Sequence, residues 1–324
     1  MRFATRAHIE AIFEENHPLW GGPLTLEQYR DYWFSLFVTP WGASNLRYMA
    51  LTEEEDGPLL SSLKLYRFTG RLLGQPVVIA GIGAVYTPEA QRTFGSASLL
   101  VSEVLDYMQK KKAAIGLLHT EIGLPFYERL GFVPLPARET RGTLAAPGRS
   151  GAPAGIEIRD AALSDAKALA VYQAVVNEGF PLVIDRDAAY WEFLLYRRRR
   201  WWELAPPSPA RALSLVARRG SEIVATGFAI VSPEEVRLQE CACLPGSEKA
   251  LGAILDRIWT EGLEAGAATW SGRMPPGPPP DPRLSGSLHP AEESLPMAAP
   301  LGSTASLEGL VGDPGHFLRD LDRF

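Results

Sequence analysis

The sequence predicts a mixed α/β protein in two successive halves, each an α+β arrangement of a mostly antiparallel sheet flanked by helices. Three observations carry this. Apolar runs of strand length alternate with amphipathic helical stretches on both sides of the chain's middle. A stretch rich in Pro, Gly, Arg and Ala, from Leu135 to Ala154, interrupts that alternation. A chain of 324 residues is long enough for two domains that each bury a core. The expected boundaries are residues 1–136, a linker over 137–154, and a second domain over 155–324.

In the first half, Thr25-x-x-Gln28 is a capping box. It opens a helix that places Leu26, Tyr29, Trp33 and Leu36 on one face. Asn45 to Leu51 alternates weakly and ends in the acidic turn Glu53 to Gly57. Leu59 to Phe68 and Pro76 to Tyr86 read as long strands joined around Gly70 and Gly74. Ala97 to Lys110 is amphipathic, with Leu99, Leu100, Val104 and Tyr107 expected inward. Its Lys110-Lys111-Lys112 end suits the negative pole of a helix dipole. Ala114 to His119 is the next strand.

The second half opens with a strand, Gly155 to Ala161, followed by a helix and the aromatic-basic segment Tyr190 to Trp202. A hairpin from Leu213 to Val231, a strand from Val236 to Leu244 and a helix from Gly246 to Gly262 follow. Pro275 to Pro282 is too rich in proline for a helix or a central strand, so a flexible loop is expected near 275–300. The run Arg197 to Arg200, beside Tyr196, Trp201 and Trp202, spreads over all faces of a helix. A domain interface or a solvated patch fits it better than nucleic acid.

A net charge of −6 argues against non-specific nucleic-acid binding and favours cationic small molecules. Cys241 and Cys243 stand on one face of a strand with no His beside them, which fits core packing rather than a metal or a disulfide. No metal site is expected. The N-terminus shows no long apolar run, so neither a signal peptide nor a membrane span is read, and the cytoplasm is the expected compartment.

The chemistry is written between Gly83 and Phe132. An apolar strand ends in Val85-Tyr86-Thr87-Pro88. Arg92-Thr93-Phe94-Gly95-Ser96-Ala97 leads into a helix, and Phe126-Tyr127-Glu128-Arg129-Leu130-Gly131-Phe132 follows the next strand. A small-residue turn at a helix N-terminus offers free N–H groups to a pyrophosphate. At these residues the chain resembles the GNAT superfamily of acyl-CoA-dependent N-acyltransferases. Their phosphate loop, Q/R-x-x-G-x-G/A, fits Arg92 to Ala97, and their Tyr-x-x-Leu-Gly-Phe fits Tyr127 to Phe132. A narrower likeness, to the fungal lysine N-acetyltransferase family and its bacterial relatives, takes in four stretches. These are Trp20, Pro23 to Tyr29, Val85 to Pro88, and Thr120-Glu121-Ile122-Gly123 before Phe126-Tyr127. Tyr86, Glu89, Thr93 and Thr120-Glu121 depart from that family's residues.

The resemblance implies a tandem GNAT architecture with splayed fourth and fifth strands in the first domain. It implies acetyl-CoA as cosubstrate, held by Val85, Tyr86 and the turn Arg92, Thr93, Phe94, Gly95, Ser96 and Ala97. It also implies direct acetyl transfer to a primary amine, lysine or a related small molecule, with Trp20, Tyr29, Trp33 and His119 as candidate acceptor contacts. Tyr127 would donate to the leaving thiolate. An amine with pKa about 10.4 must lose a proton before it attacks. Glu121 is placed to take that proton, or alternatively to cap the next helix or attract the ammonium. The C-terminal carboxylate after Asp320 to Phe324 is a second candidate base, as in tandem aminoglycoside-type acetyltransferases. In the second half the matching turn, Pro245 to Ala250, lacks the Arg and puts Glu248 where phosphate would sit, so a degenerate copy that binds no CoA is expected. Two other functions stay open: a tandem-type protein or antibiotic acetyltransferase, and a non-catalytic acyl-CoA sensor. The oligomeric state is not legible.

Overall fold

The structure, a computed structural model, describes all residues except 56, 122, 147–150, 276, 292–293, 303–305, 312–321 and 323–324. The first half begins with β1 (Arg2–Phe3), α1 (Arg6–Trp20), α2 (Leu26–Phe37), α3 (Pro40–Asn45) and β2 (Leu46–Leu51). Then come β3 (Ser61–Leu72), β4 (Gln75–Tyr86), α4 (Ser96–Lys110), β5 (Ala113–Thr120), α5 (Leu124–Glu128) and β6 (Val133–Pro134). The second half holds β7 (Arg138–Thr143), β8 (Glu157–Asp160), α6 (Ala166–Val176), β9 (Leu182–Ile184) and α7 (Ala188–Leu204). It continues with β10 (Arg211–Arg219), β11 (Glu222–Val231), β12 (Val236–Cys243), α8 (Glu248–Ala265), β13 (Thr269–Gly272), β14 (Ser287–Pro290) and β15 (Leu295–Pro300).

Two mixed sheets result, as expected of a tandem α/β chain. The first runs β1-β2-β3-β4-β5-β15-β6, with β9 added to the far end of β3; the second runs β14-β7-β13-β12-β11-β10-β8. Thr25 caps α2 with the expected box, and Tyr29, Trp33 and Leu36 are buried together with Tyr32. The inward face of α4 is displaced from expectation. Leu100, Val101, Val104, Leu105 and Met108 are buried, while Leu99 is exposed. The helix starts at Ser96 behind a left-handed Gly95, and this start sets which face meets the sheet.

The second half lends strands to the first sheet. Residues 138–143, inside the stretch read as linker, form β7 and pair with β13 and β14 in the second sheet. β15 inserts between β5 and β6 of the first sheet, pairing Leu295 with Thr120 and Ala298 with Val133. Residues 295–300, inside the stretch read as a flexible loop, are therefore a buried central strand. Its prolines stand at Pro296 and Pro300, while Met297, Ala298 and Ala299 fill the sheet interior. A proline-rich composition hid this strand because proline counts against a central position.

Three cores stack through the molecule. One joins α4 to one face of the first sheet, and another joins α8 to the outer face of the second sheet. The third lies between the sheets and gathers α1, α2, α3, α6 and α7. There Trp41 of α3 stacks on Tyr190 of α7, with ring centroids 4.5 Å apart, and on Phe68 of β3. Arg186, just before α7, lies fully buried between Glu240 of β12 and Asp322, at 2.8 Å to each. The arginine run behaves as its helical spacing requires. Arg198 reaches Ser214 and Gln239, Arg199 pairs with Glu203, and Arg200 pairs with Asp31 of α2.

Candidate functional site

The phosphate turn is built by backbone conformation more than by side chains. Gly95 takes φ 82° and caps α4 with no side-chain hydrogen bond. The first N–H groups of a helix lack intrahelical acceptors, and among the described residues no side chain caps them here. A Cβ built on Gly95 would meet nothing within 4 Å, so the space over the turn is open. Thr93 also has positive φ, at 73°, and Arg92 donates from Nε to the Thr87 carbonyl at 3.3 Å.

Beside the turn the sheet opens. β4 and β5 are parallel and paired from Val78–Ala113 to Ile82–Leu118, and there the pairing stops although both strands run on. The β3–β4 register slips between Ser62 and Lys64, which places a bulge at Ala84 and Val85; Ala84 has φ 46°. A bulge twists its strand away from its neighbour. The backbone of Gly83 to Tyr86 thus faces a wedge that no strand fills, with the Tyr86 carbonyl taken by Ser61 Oγ at 2.8 Å. This is the splay expected for the first domain.

Tyr127 lies on the α4 side of that sheet, at 5% exposure, edge-on to Phe126 and Phe132. Burial pushes its phenol up to about 12, so the hydroxyl is a donor at any working pH. Glu121 is exposed at the end of β5. The helix that follows, α5, has Gly123 at its N-cap. Ile122 lies outside the described residues, as do Asp320, Leu321, Arg323 and Phe324 of the candidate tail. Asp322 is bound to Arg186 through both carboxylate oxygens.

The opposite face of the sheet, under α1 and α2, holds the candidate acceptor residues. Trp20 meets Tyr86 edge-on at 6.5 Å, and the Tyr86 hydroxyl donates to Glu15 at 2.6 Å. His119 is half-buried on β5 in register with Pro296. Tyr29 and Trp33 stand deeper, packed with Phe13, Tyr32 and Tyr48. The structure thus groups Trp20 with Tyr86 and sets Tyr29 and Trp33 in the aromatic core beneath α1 and α2. Two residues on this face were not singled out from sequence, Glu15 and Lys64. Lys64 did carry a signal, being a lone cation at an inward position of an apolar strand.

In the second half β12 and β13 pair only from Val236–Trp270 to Leu238–Gly272 before diverging. A cavity of about 460 Å³ opens there, lined by Cys241, Met274, Pro280, Leu284, Leu288 and Arg273. The helix that follows β12 starts differently from α4. Gly246 is left-handed at φ 78°, and its N–H donates to the carboxylate of Glu248 at 2.9 Å. Its own backbone N–H, and then that of Gly246, hold the Glu248 carboxyl below its usual range. The turn carries its own anion. Cys241 and Cys243 are free thiols, the former buried.

Comparison with known proteins agrees with this geometry. The acetyltransferase (GNAT) domain family matches residues 39–135. No curated protein sequence matches the chain. Among solved structures, an Enterococcus faecalis V583 protein described as a probable N-acyltransferase superposes with TM-score 0.66 at 16% identity, over 93% of this chain and 72% of that one. A GCN5-related N-acetyltransferase from Anabaena variabilis gives 0.65 at 14% identity, over 92% and 72%. A tandem GNAT protein from the clavulanic acid pathway gives 0.50 at 13% identity, over 91% and 95%. The chain carries a GNAT acetyltransferase domain within a tandem GNAT fold, and by class it is an acyltransferase. Among the described residues no helix is long and apolar enough to cross a membrane.

Proposed function

We propose that the chain moves an acetyl group from acetyl-CoA to a primary amine of a small molecule, lysine or a relative of it, by direct transfer. The observation that carries this is the pairing of an uncovered left-handed turn, Arg92 to Ala97, with an unpaired bulge at Ala84–Val85 on the adjoining strand. The fit is steric as well as electrostatic: the bare Gly95 cradle leaves room for a pyrophosphate at the N–H groups of Ser96 and Ala97. Val85 and Tyr86 would hold the pantetheine arm by backbone groups at the bulge. The cosubstrate supplies an acetyl thioester.

The chain's residues do the rest. An N–H at the bulge stabilises the carbonyl oxygen as it gains charge, the largest lever available in such a site. Tyr127 donates a hydrogen bond to the departing sulfur. With its phenol at about 12 against a thiol near 8.5, full proton transfer is uphill and comes only as the intermediate collapses. Glu121 takes the amine's proton at the open end of β5, directly or through water. The α1–α2 face of the first sheet turns toward the second half across a shared core, and this supports the second half as a wall of the acceptor cleft. Its own turn, filled by Glu248, supports a role other than CoA binding. Release of free thiol from acetyl-CoA, measured against a panel of amines, tests the reading. No release with any amine, together with tight acetyl-CoA binding, would instead make the chain a sensor.

A further inference from the structure

Buried polar groups are ordinarily hydrogen-bonded. Beneath α1 and α2 a cluster departs from that rule. Asn16 is fully buried, and neither its carbonyl oxygen nor its amide nitrogen finds a partner among the described residues. Ser62 of β3 is equally buried, and its hydroxyl is unpartnered in the same sense. Two residues on, Lys64 is buried with Nζ 3.5 Å from the centroid of the Trp33 ring. Among the described residues no carboxylate pairs with it. Tyr29, Tyr48 and Trp33 crowd one another, yet their hydroxyls and Nε1 reach no hydrogen-bond geometry among the described residues.

Register brings these groups together. Lys64 lies between Tyr48 on β2 and Gly83 on β4; Ser62 lies between Ala50 and Tyr86. Phe13 of α1 packs on Tyr48, and Trp20 of the same helix packs on Tyr86. Asn16 sits between Phe13 and Trp20 on the buried side of α1. The helix thus carries Asn16, on its buried side, between its contact with Tyr48 of β2 and its contact with Tyr86 of β4. On the β4 side the neighbours are Gly81, opposite Tyr66, and Gly83, opposite Lys64. Neither has a side chain, so the sheet surface beside Lys64 is bare up to the bulge.

We propose that this cluster is an anion subsite of the acceptor cleft: the acceptor is an amine that also bears a carboxylate, and Lys64, Ser62 and Asn16 receive that carboxylate while the amine faces the bulge at Ala84–Val85. The inference rests on the acyl-transfer reading above. Every unpartnered group here except the Asn16 carbonyl is a donor, which suits an acceptor-only oxyanion. Burial, with Arg197 adding in the same direction, holds the Lys64 ammonium well below its ordinary range. An anion delivered beside it would restore its charge and give the unpaired groups their bonds.

The test compares matched acceptors in the thiol-release assay: lysine with 1,5-diaminopentane, arginine with agmatine, phenylalanine with phenethylamine. At least one amino acid should exceed its decarboxylated partner in kcat/KM by about tenfold or more, the usual effect of a buried charged hydrogen bond. Lys64→Met should erase that preference by raising KM for the amino acid far more than KM for the decarboxylated amine. Equal or better turnover of all three decarboxylated amines overturns the subsite, and so does a preference that survives in Lys64→Met. If no amine releases thiol, the acyl-transfer reading fails, and calorimetry with the same pairs in the presence of CoA judges the subsite alone. Amino-acid binding lost in Lys64→Met upholds it; no binding by the wild type overturns it. Should Lys64→Met not fold, Ser62→Ala must show the same selective rise in KM, to a smaller degree.

Discussion

The two turns that precede α4 and α8 have a common plan and opposite contents. Each follows a strand that parts from its parallel neighbour, and each pivots on a left-handed glycine, Gly95 at φ 82° and Gly246 at φ 78°. A Cβ on either would meet nothing within 4 Å. At the cap itself the difference is a carboxylate. In the first turn no side chain reaches the cap, whereas in the second the carboxylate of Glu248 folds back onto the N–H of Gly246. A helix N-terminus needs an anion, and the chain supplies one itself where it does not call for a ligand. Glu248 is exposed, so this is replacement of a ligand and not a contribution to the core.

The matched pair Gly95→Trp and Gly246→Trp breaks the comparison most sharply. Each asks a bulky residue to hold a left-handed backbone, at a cost of roughly 1–2 kcal/mol. The strain cancels between them. Acetyl-CoA affinity, measured by calorimetry, should be lost in Gly95→Trp and keep its wild-type value in Gly246→Trp. Equal loss in both would mean that the turns are read wrongly, or that strain alone disables the fold.

Next in size is the buried clamp within the second half. Arg186 neutralises Glu240 and Asp322 in a fully buried setting, so Arg186→Met strands two carboxylates. Removing one partner of such a set costs about 3–5 kcal/mol. Urea unfolding should show that loss, and Glu240→Gln in the same background should recover part of it. A loss under 1 kcal/mol would mean that solvent reaches the clamp.

Tyr127 has no counterpart in the second half, where β13 runs into Arg273-Met274-Pro275 without a tyrosine-bearing helix. Tyr127→Phe should slow turnover by about 2–4 kcal/mol with acetyl-CoA affinity unchanged, the size seen when one transition-state donor is removed. With the phenol at about 12, no fall in rate from its ionisation is expected up to pH 10. Wild-type turnover in Tyr127→Phe would assign the thiolate to a water or another donor.

Most of the elements around the first turn were legible in sequence, because α4, β4 and β5 are each set by local periodicity and Gly95 stands where only backbone freedom explains it. The pairings of β7 and β15 were not. β15 earns its central place from partners at β5 and β6, more than 150 residues away along the chain, and its Pro296 and Pro300 argue locally against any strand. Truncation after the linker would leave β5 and β6 without the strand that joins them, so the first half is not a unit to be isolated at residue 136. The phosphate turn and Tyr127 could be read as linear motifs. Asn16, Ser62 and Lys64 could not, because only the register of β2, β3 and β4 and the seating of α1 bring them together.

Lys64 sharpens the comparison on stability rather than activity, since the second core contains no buried lysine among the described residues. Its folded pKa is depressed, so below the unfolded value near 10.4 the unfolded chain binds a proton that the folded chain resists. The native state is disfavoured by that difference at neutral pH, and the penalty fades as pH rises toward 10. Lys64→Met should therefore raise Tm at pH 7 and raise it less at pH 10. A lowered Tm at pH 7 would show that Lys64 is already paired in the resting protein.

The smallest effect should come from emptying the second turn. Glu248→Ala exposes the N–H of Gly246 and frees the start of α8, but it restores neither an arginine nor the pair of small residues found at Gly95 and Ala97. Ser247 at the corresponding place is buried, and its carbonyl already accepts from Ala250 and Leu251. The wedge beside the turn is also differently lined: Cys241, Met274 and Leu284 face the cavity between β12 and β13. Calorimetry with acetyl-CoA should thus return one site per chain for Glu248→Ala, as for the wild type, with inorganic phosphate bound no more tightly than millimolar. Two sites per chain in the variant would mean that a single carboxylate is all that separates the two halves. The second half would then be a CoA site held shut rather than one that has been rebuilt.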